Sequence, residues 1–310
     1  MTTKFSHPNR QSDINPSSDS NNSDRIKKIT DAVLSLPVLP TVTAKLLELV
    51  DNPKTSANAL SNLVSKDQVL TAKILKIANS AFYGFSREIP TVQRAVVVLG
   101  FNSLREISLS MSVFNAFKGD LNNKYFNVSE FWRHSIAVGL GARLLALNVS
   151  YENVAVAFTA GLLHDLGKMV LNQYLPYDFL KIQDKVFEEG MSLKEAEIEV
   201  LGVEHSRVGA WLAGRWKLPD RLVEAILYHH DPLESEGECP ICLLVHIADY
   251  LAFKCHLGSS GRKSHPGLSE EFLDIIENRF GLTEEVLSRL ETELKCDFEV
   301  KASNLLSEVN

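Results

Sequence analysis

From Arg25 onward, apolar residues return every three or four positions, in runs such as AVLSL (32–36), LLELV (46–50) and ILKIA (74–78). That spacing puts them on one face of a helix. No stretch alternates apolar and polar residues long enough to demand a sheet, so the pattern predicts an all-α fold. Helix punctuation divides the chain. Pro37, Pro40, Pro53 and Pro90 interrupt the first part, and Gly84 and Gly100 close helices there. Asn127 followed by Glu130 has the spacing of a capping box and opens a helix over His134. Pro219-Asp220 opens another helix, and Asp231-Pro232 ends it. The predicted organisation is a disordered tail over 1–24, a helical lobe over 25–122 and a second helical lobe over 123–257. A Gly/Ser linker from Gly258 to Ser264 then leads into a helical tail, together spanning 258–310.

Within this pattern, several polar residues fall on apolar faces. His134 shares a stripe with Phe131, Val138 and Leu145, and His205 with Val208, Leu212 and Trp216. His229 follows Leu222, Ala225 and Ile226, while Asp249 lies among Cys242, Val245, Ala252 and Phe253. Between them comes AGLLHDLGK (160–168), where Gly161 and Gly167 leave room beside His164-Asp165. One core histidine is ordinarily a hydrogen-bonded packing residue. Six inward-facing groups from five helices are a different matter, because buried carboxylates without a cation cost several kcal/mol each, in a fold worth only about 5–15 kcal/mol. A divalent transition ion supplies that cation, and mixed imidazole and carboxylate donors suit iron, manganese or zinc. His230 can join His229 at one ion only where the helix ends, since consecutive helical residues diverge by about 100°. His246 reads as an outer or surface residue, and His256 and His265 carry no signal.

Composition narrows the partners. Hydrophobic residues make up 45% and charged residues 23%, ordinary for a packed core. The 39 acidic residues exceed the 32 basic ones, giving a net charge of −7, without the basic excess of a nucleic-acid binder. The segment 57–79 can be drawn as two helices around a turn with Lys66, Lys73 and Lys76 nearby, but no basic surface surrounds it. The apolar run Val154–Leu163 is far shorter than the ~18 residues of a membrane span, and the N-terminus has no apolar leader. The expectation is a cytoplasmic protein with no membrane and no nucleic-acid partner. Cys239 and Cys242 have CxxC spacing, but no second pair completes a zinc set and Cys242 is on an apolar stripe. They read as small buried hydrophobes, in preference to a zinc or redox pair.

The order His134, His164-Asp165, Asp249 resembles the H…HD…D signature of the HD metal-dependent phosphohydrolase superfamily, and His205 and His229-His230 resemble the second-ion ligands of its binuclear members. The segment from LPVLPTVTAKLLELVDNPKTSANALSNLVSKDQVLTAKILKIANSAFYG (36–84) through AVVVLGFNSLREISLS (95–110) is similar to the N-terminal half of HDOD domains. FWRHSIAV, AGLLHDLGK, EHSRVGAWLAGRWKLP and ILYHH continue the likeness to about Ala252. The resemblance implies an HD-type multi-helix bundle with an added N-terminal helical lobe. It implies a mono- or binuclear metal site on His134, His164, Asp165, His205, His229, His230 and Asp249. HDOD proteins are mostly regulatory modules, so the implied role is bacterial signal transduction through a protein partner. The alternative is a phosphohydrolase acting on a nucleotide or cyclic dinucleotide, with Asp165 bridging two ions and Lys168 steadying the phosphate. Lys168 also reads as an exposed helix-end lysine. An HD-fold di-iron oxygenase shares the ligand order. No GYP motif follows His229-His230, which weighs against cyclic-di-GMP hydrolysis. Glu130, a third-ion ligand in some HD-GYP proteins, is better explained here by its cap.

Overall fold

The computed structural model describes residues 27–31, 35, 39–50, 52, 54–79, 88–117, 121–235 and 239–306, and contains helices and no strand among them. The tail over 1–24, Pro37, Pro53 and Gly84 lie outside the described residues. The first four long helices are α1 (Thr41–Val50), α2 (Ala57–Val64), α3 (Gln68–Ala78) and α4 (Val92–Ala116). Side chains of Ser56, Asp67 and Thr91 accept from backbone N–H groups three residues on, which starts α2, α3 and α4. Gly100 has φ +79 and breaks α4, as its place in the pattern predicts. α1, α2 and α3 all pack on α4, and α1 is pinned to it by a buried Thr43–Ser112 hydroxyl pair at 2.7 Å.

The remainder is organised around α5 (Val128–Asn148), which packs against α6 (Val154–Leu163), α12 (Pro240–Lys254) and α14 (Glu284–Leu306). Between α6 and α12 come α7 (Leu166–Tyr174), α8 (Pro176–Phe187), α9 (Leu193–Leu201), α10 (His205–Arg215), α11 (Asp220–Tyr228) and a 3₁₀ turn at Pro232–Glu234. α13 (Glu270–Phe280) precedes α14. Asn127 accepts from the Glu130 N–H at 3.0 Å to start α5, while the Glu130 carboxylate turns to Arg133 at 3.5 Å. Phe114 of α4 meets Trp132 of α5 edge-on at 4.5 Å between ring centres, joining the earlier helices to this second group. Phe126, Phe131 and Phe179 are buried together, and each such side chain contributes about 1.5–3 kcal/mol of transfer energy.

One apolar stretch runs on past its first helix, and one expectation from the stripes needs correction. The 21 residues Val154–Tyr174 are together long and apolar enough, by composition, to cross a membrane. They form two helices, α6 and α7, meeting at His164-Asp165, and most of the stretch is buried inside the fold. Cys239 and Cys242 are buried, as the stripe requires, but they are not free side chains. They are bonded to each other across the first turn of α12, with Cα atoms 5.4 Å apart.

Candidate metal centre

The ligand-type residues gather because helices end where they stand. α6 stops at Leu163 and α7 begins at Leu166, so His164 and Asp165 occupy the break as C-cap and N-cap. Asp165 caps nothing with its side chain, which turns inward instead. His205 is the first residue of α10. α11 ends at Tyr228, with His229 as its C-cap still in the αR conformation, and His229 and His230 reach the same centre. His134 and Asp249 face each other from mid-α5 and mid-α12. At both glycines the space a side chain would take is occupied by neighbouring backbone. A Cβ on Gly167 would lie 1.8 Å from the His205 carbonyl oxygen, and one on Gly161 would lie 2.6 Å from that of Val138.

The result is two adjoining clusters, Asp165 with His205, His229 and His230, and His134 with His164 and Asp249. In each, one donor atom per residue lies within 4.8 Å of all the others, close to the span across an ion with bonds of about 2.0–2.2 Å. In the first, Asp165 Oδ1 is 3.1 Å from His205 Nε2 and 3.5 Å from His229 Nε2, and His230 Nε2 is 3.1 Å from His205 Nε2. In the second, Asp249 Oδ1 is 2.9 Å from His134 Nε2 and 3.7 Å from His164 Nε2. Asp165 Oδ2 is 3.3 Å from His164 Nε2, so the two oxygens of Asp165 face different clusters.

Outer contacts aim the rings. His164 Nδ1 donates to the Gly161 carbonyl at 2.7 Å and His229 Nδ1 to that of Ile226 at 2.8 Å. His205 Nδ1 is held by the fully buried Glu197 carboxylate at 2.8 Å, which also accepts from the His205 backbone N–H. Each inner Nε2 is thereby left with its lone pair toward the centre, the usual support for a metal-bound histidine. His164 Nε2, His229 Nε2 and Asp165 Oδ1 are buried without hydrogen-bond partners. Such orphaned acceptors fit a cation, and the residues present therefore suit a transition-metal pair. Burial pushes His229 down to about 4 and also lowers His134 and His230, disfavouring the charged form of each ring. Burial would also lower His205, but the Glu197 charge leaves it raised. Burial alone would raise both aspartates. His164 and Lys168 instead hold Asp165 well below the usual carboxylate range, and Arg262 and His134 do so for Asp249.

Several residues take places the sequence reading did not assign. Lys168 is not an exposed helix end but is 1% exposed, with Nζ 2.7 Å from Asp165 Oδ2 and 3.3 Å from Ser260 Oγ. The stretch expected to be a linker folds over the second cluster and brings Arg262 and His265 to it. Arg262 donates to both Asp249 oxygens, Nη1 to Oδ2 at 2.7 Å and Nη2 to Oδ1 at 2.5 Å. His265, assigned no signal from its surroundings, is buried with Nε2 3.8 Å from Asp249 Oδ2. Glu197 was legible in principle, as an acid on a stripe with Leu193, Val200 and Leu201. Nothing in the local pattern marks Arg262. His246 donates from Nδ1 to the His229 carbonyl at 2.7 Å and is an outer support, while Glu130 faces Arg133 outside both clusters.

Known proteins resemble this chain in sequence and fold. A solved HDOD domain protein of unknown function from Geobacter sulfurreducens is 27% identical, with a TM-score of 0.73 over 91% of this chain and 97% of that one. A structure from Shewanella amazonensis, provisionally named a phosphohydrolase, is 26% identical, with a TM-score of 0.71 over 91% and 98%. An uncharacterised protein of Treponema pallidum is 25% identical over 223 residues, 71% of this chain and 43% of that protein. Ribonuclease Y of Acholeplasma laidlawii is 30% identical over 154 residues, 50% of this chain and 22% of the enzyme. This chain therefore spans less than half the length of these two relatives. The family model described as the HDOD domain matches residues 36–232, and with that match the chain belongs to the HDOD family.

Proposed function

We propose that this protein is a signal-transduction module in which a pair of divalent transition ions, iron, manganese or zinc, holds helix ends in place while the surrounding surface engages a protein partner. His205, His229 and His230 would hold one ion, His134, His164 and Asp249 the other, and Asp165 would lie between them. When bound, the ions would take up the inward-facing imidazole nitrogens and add positive charge at the two buried carboxylates. The observation that carries the reading is closure: His134, His164, Asp165, His205, His229 and Asp249 are each at most 2% exposed, and both carboxylates carry a cationic side chain of the chain itself. A centre of this kind is coupled to folding in preference to turnover.

A second reading is supported by Lys168 beside Asp165 and by the names of two relatives, a ribonuclease and a provisional phosphohydrolase. In it the chain hydrolyses a phosphodiester, with ions supplying Lewis acidity and Lys168 contacting the phosphate. Elemental analysis of the purified chain, joined to a panel of cyclic nucleotides, cyclic dinucleotides and RNA oligonucleotides, separates the two. The expected result is about one to two ions per chain and no hydrolysis. Hydrolysis that follows ion content transfers the assignment to the enzyme. A chain that holds no iron, manganese or zinc, even when these are added, is neither.

A further inference from the structure

Two cationic side chains stand at the two carboxylates, and they arrive by different routes. Lys168 belongs to α7, the helix that starts beside Asp165, and so has a fixed place. Arg262 comes from an irregular strap, residues 258–265, between α12 and α13. We propose that this strap is a latch over the second cluster, held shut by Arg262 acting as an internal stand-in for the cation at Asp249. Loading of that cluster and release of the strap are then coupled. The proposal rests on reading the clusters as metal sites.

The competition is for one oxygen. Of the two Asp249 oxygens, Oδ1 is the one that faces His134 Nε2 and His164 Nε2, at 2.9 and 3.7 Å, so an ion among these three residues would use it. The Arg262 Nη2 donor already lies on that oxygen at 2.5 Å. A guanidinium and a divalent ion on one oxygen in a dry site repel strongly, so one excludes the other. The arginine is not fully satisfied where it is, since its buried Nε has no hydrogen-bond partner. Its other contacts are the Asp249 backbone carbonyl, 3.5 Å from Nη2, and the face of Phe253, 5.0 Å from the ring centre. The strap is irregular backbone held by separate contacts, among them buried Ser260 and the His265 ring against Tyr250 and Phe253. Ser259 N–H donates to the Glu130 carbonyl at 3.0 Å, Ser260 meets Lys168, and Lys263 reaches the Phe187 carbonyl at 3.1 Å. Its entry needs Gly258, which has φ +81, and a Cβ there would lie 2.3 Å from the His134 backbone nitrogen. Because no helix or strand pairing includes it, the strap can be released without unwinding a regular element.

The test uses the full chain stripped with a chelator and titrated with Mn²⁺ alone against a chromophoric competitor, with thermal melts alongside. Arg262→Ala is expected to lower the melting temperature of the ion-free chain. It should also tighten one of two Mn²⁺ sites on the order of tenfold, the scale of one charge-assisted competitor removed, and leave the other unchanged. Gly258→Ala keeps every charge but cannot seat the strap. It is expected to tighten the same site and to speed proteolytic cutting within 258–265, and it decides the matter if Arg262→Ala does not fold. If Mn²⁺ binds the wild type but both variants bind it equally well, the latch is wrong while the metal reading stands. The same holds if Arg262→Ala binds about 10–100-fold more weakly, since Arg262 then orients Asp249 as an ordinary outer partner. No binding by wild type or variants removes both.

Discussion

The two clusters adjoin one another yet are built on opposite plans. The first draws three imidazoles from the start of α10 and the end of α11, and each outer contact on them comes from a fixed neighbour: Glu197 behind His205, the Ile226 carbonyl behind His229. The second has fewer imidazoles, and its own carboxylate is shared with an arginine from an irregular segment. A site whose orienting groups belong to helices is preorganised by the fold, whereas one whose carboxylate is claimed by a strap depends on where the strap lies. Affinity, exchange and regulation should therefore divide between the two, with Asp165 as the link.

Breaking that link should have the largest effect. Asp165→Asn keeps the size but removes the charge that faces both clusters, so both ions should be lost. It also strands buried Lys168 without its partner. Removing one member of a buried pair costs about 3–5 kcal/mol, which for a chain of this size lowers the melting temperature by roughly 10 °C. Elemental analysis and a thermal melt check both parts. Retention of one full ion equivalent by Asp165→Asn would show that the clusters do not share this carboxylate.

The next test separates them. His205→Ala should abolish the first site and leave the second with its ion. Glu197→Gln should weaken the first by about 10–100-fold, because the buried carboxylate sets which nitrogen of His205 faces the centre. Equal loss at both sites in Glu197→Gln would mean that the clusters act as a single unit, measurable by titration with Mn²⁺ followed by chelator competition.

How much of this was legible follows the same division. The helices could be read because their apolar stripes have the period of the structure they form, and Gly100 breaks α4 where the pattern places a break. The first cluster was visible because polar residues on a stripe must point into the core, and because Asp231-Pro232 marks the end of α11 that lets His230 join His229. Glu197 obeys the same logic. Arg262, Ser260 and His265 do not, since they lie in a Gly/Ser-rich stretch without periodicity. Their positions come from tertiary contacts such as the close approach of Gly258 to α5. The burial of Lys168 was missed for a related reason. It follows Gly167, whose backbone lies against that of His205, and no local signal reports that approach. The CxxC spacing was seen, but burial and bonding of the pair are compatible with one and the same stripe.

The smallest expected effect is also the one that decides between module and enzyme. Lys168 ligates nothing, and in the ion-free chain it neutralises Asp165 Oδ2 from 2.7 Å away. Once cations occupy the clusters, that charge is no longer needed for the carboxylate. In the signalling reading, Lys168→Ala in the ion-loaded chain should leave metal content and partner binding unchanged. The melting temperature should fall by only a few degrees, the scale of about 1 kcal/mol in a chain of this length. The ion-free variant should fall further, because Asp165 is then buried with one partner fewer. In the hydrolase reading the same substitution should reduce turnover by about a hundredfold at full ion content, as loss of one electrostatic contact to a reacting phosphate commonly does. Melting curves with and without Mn²⁺, run beside the hydrolysis panel, distinguish these outcomes in one preparation. A widened gap between the ion-free and ion-loaded melts, with no hydrolysis by either protein, is the result expected here. A phosphodiesterase activity that disappears in Lys168→Ala while both ions stay bound would overturn the assignment in favour of the enzyme.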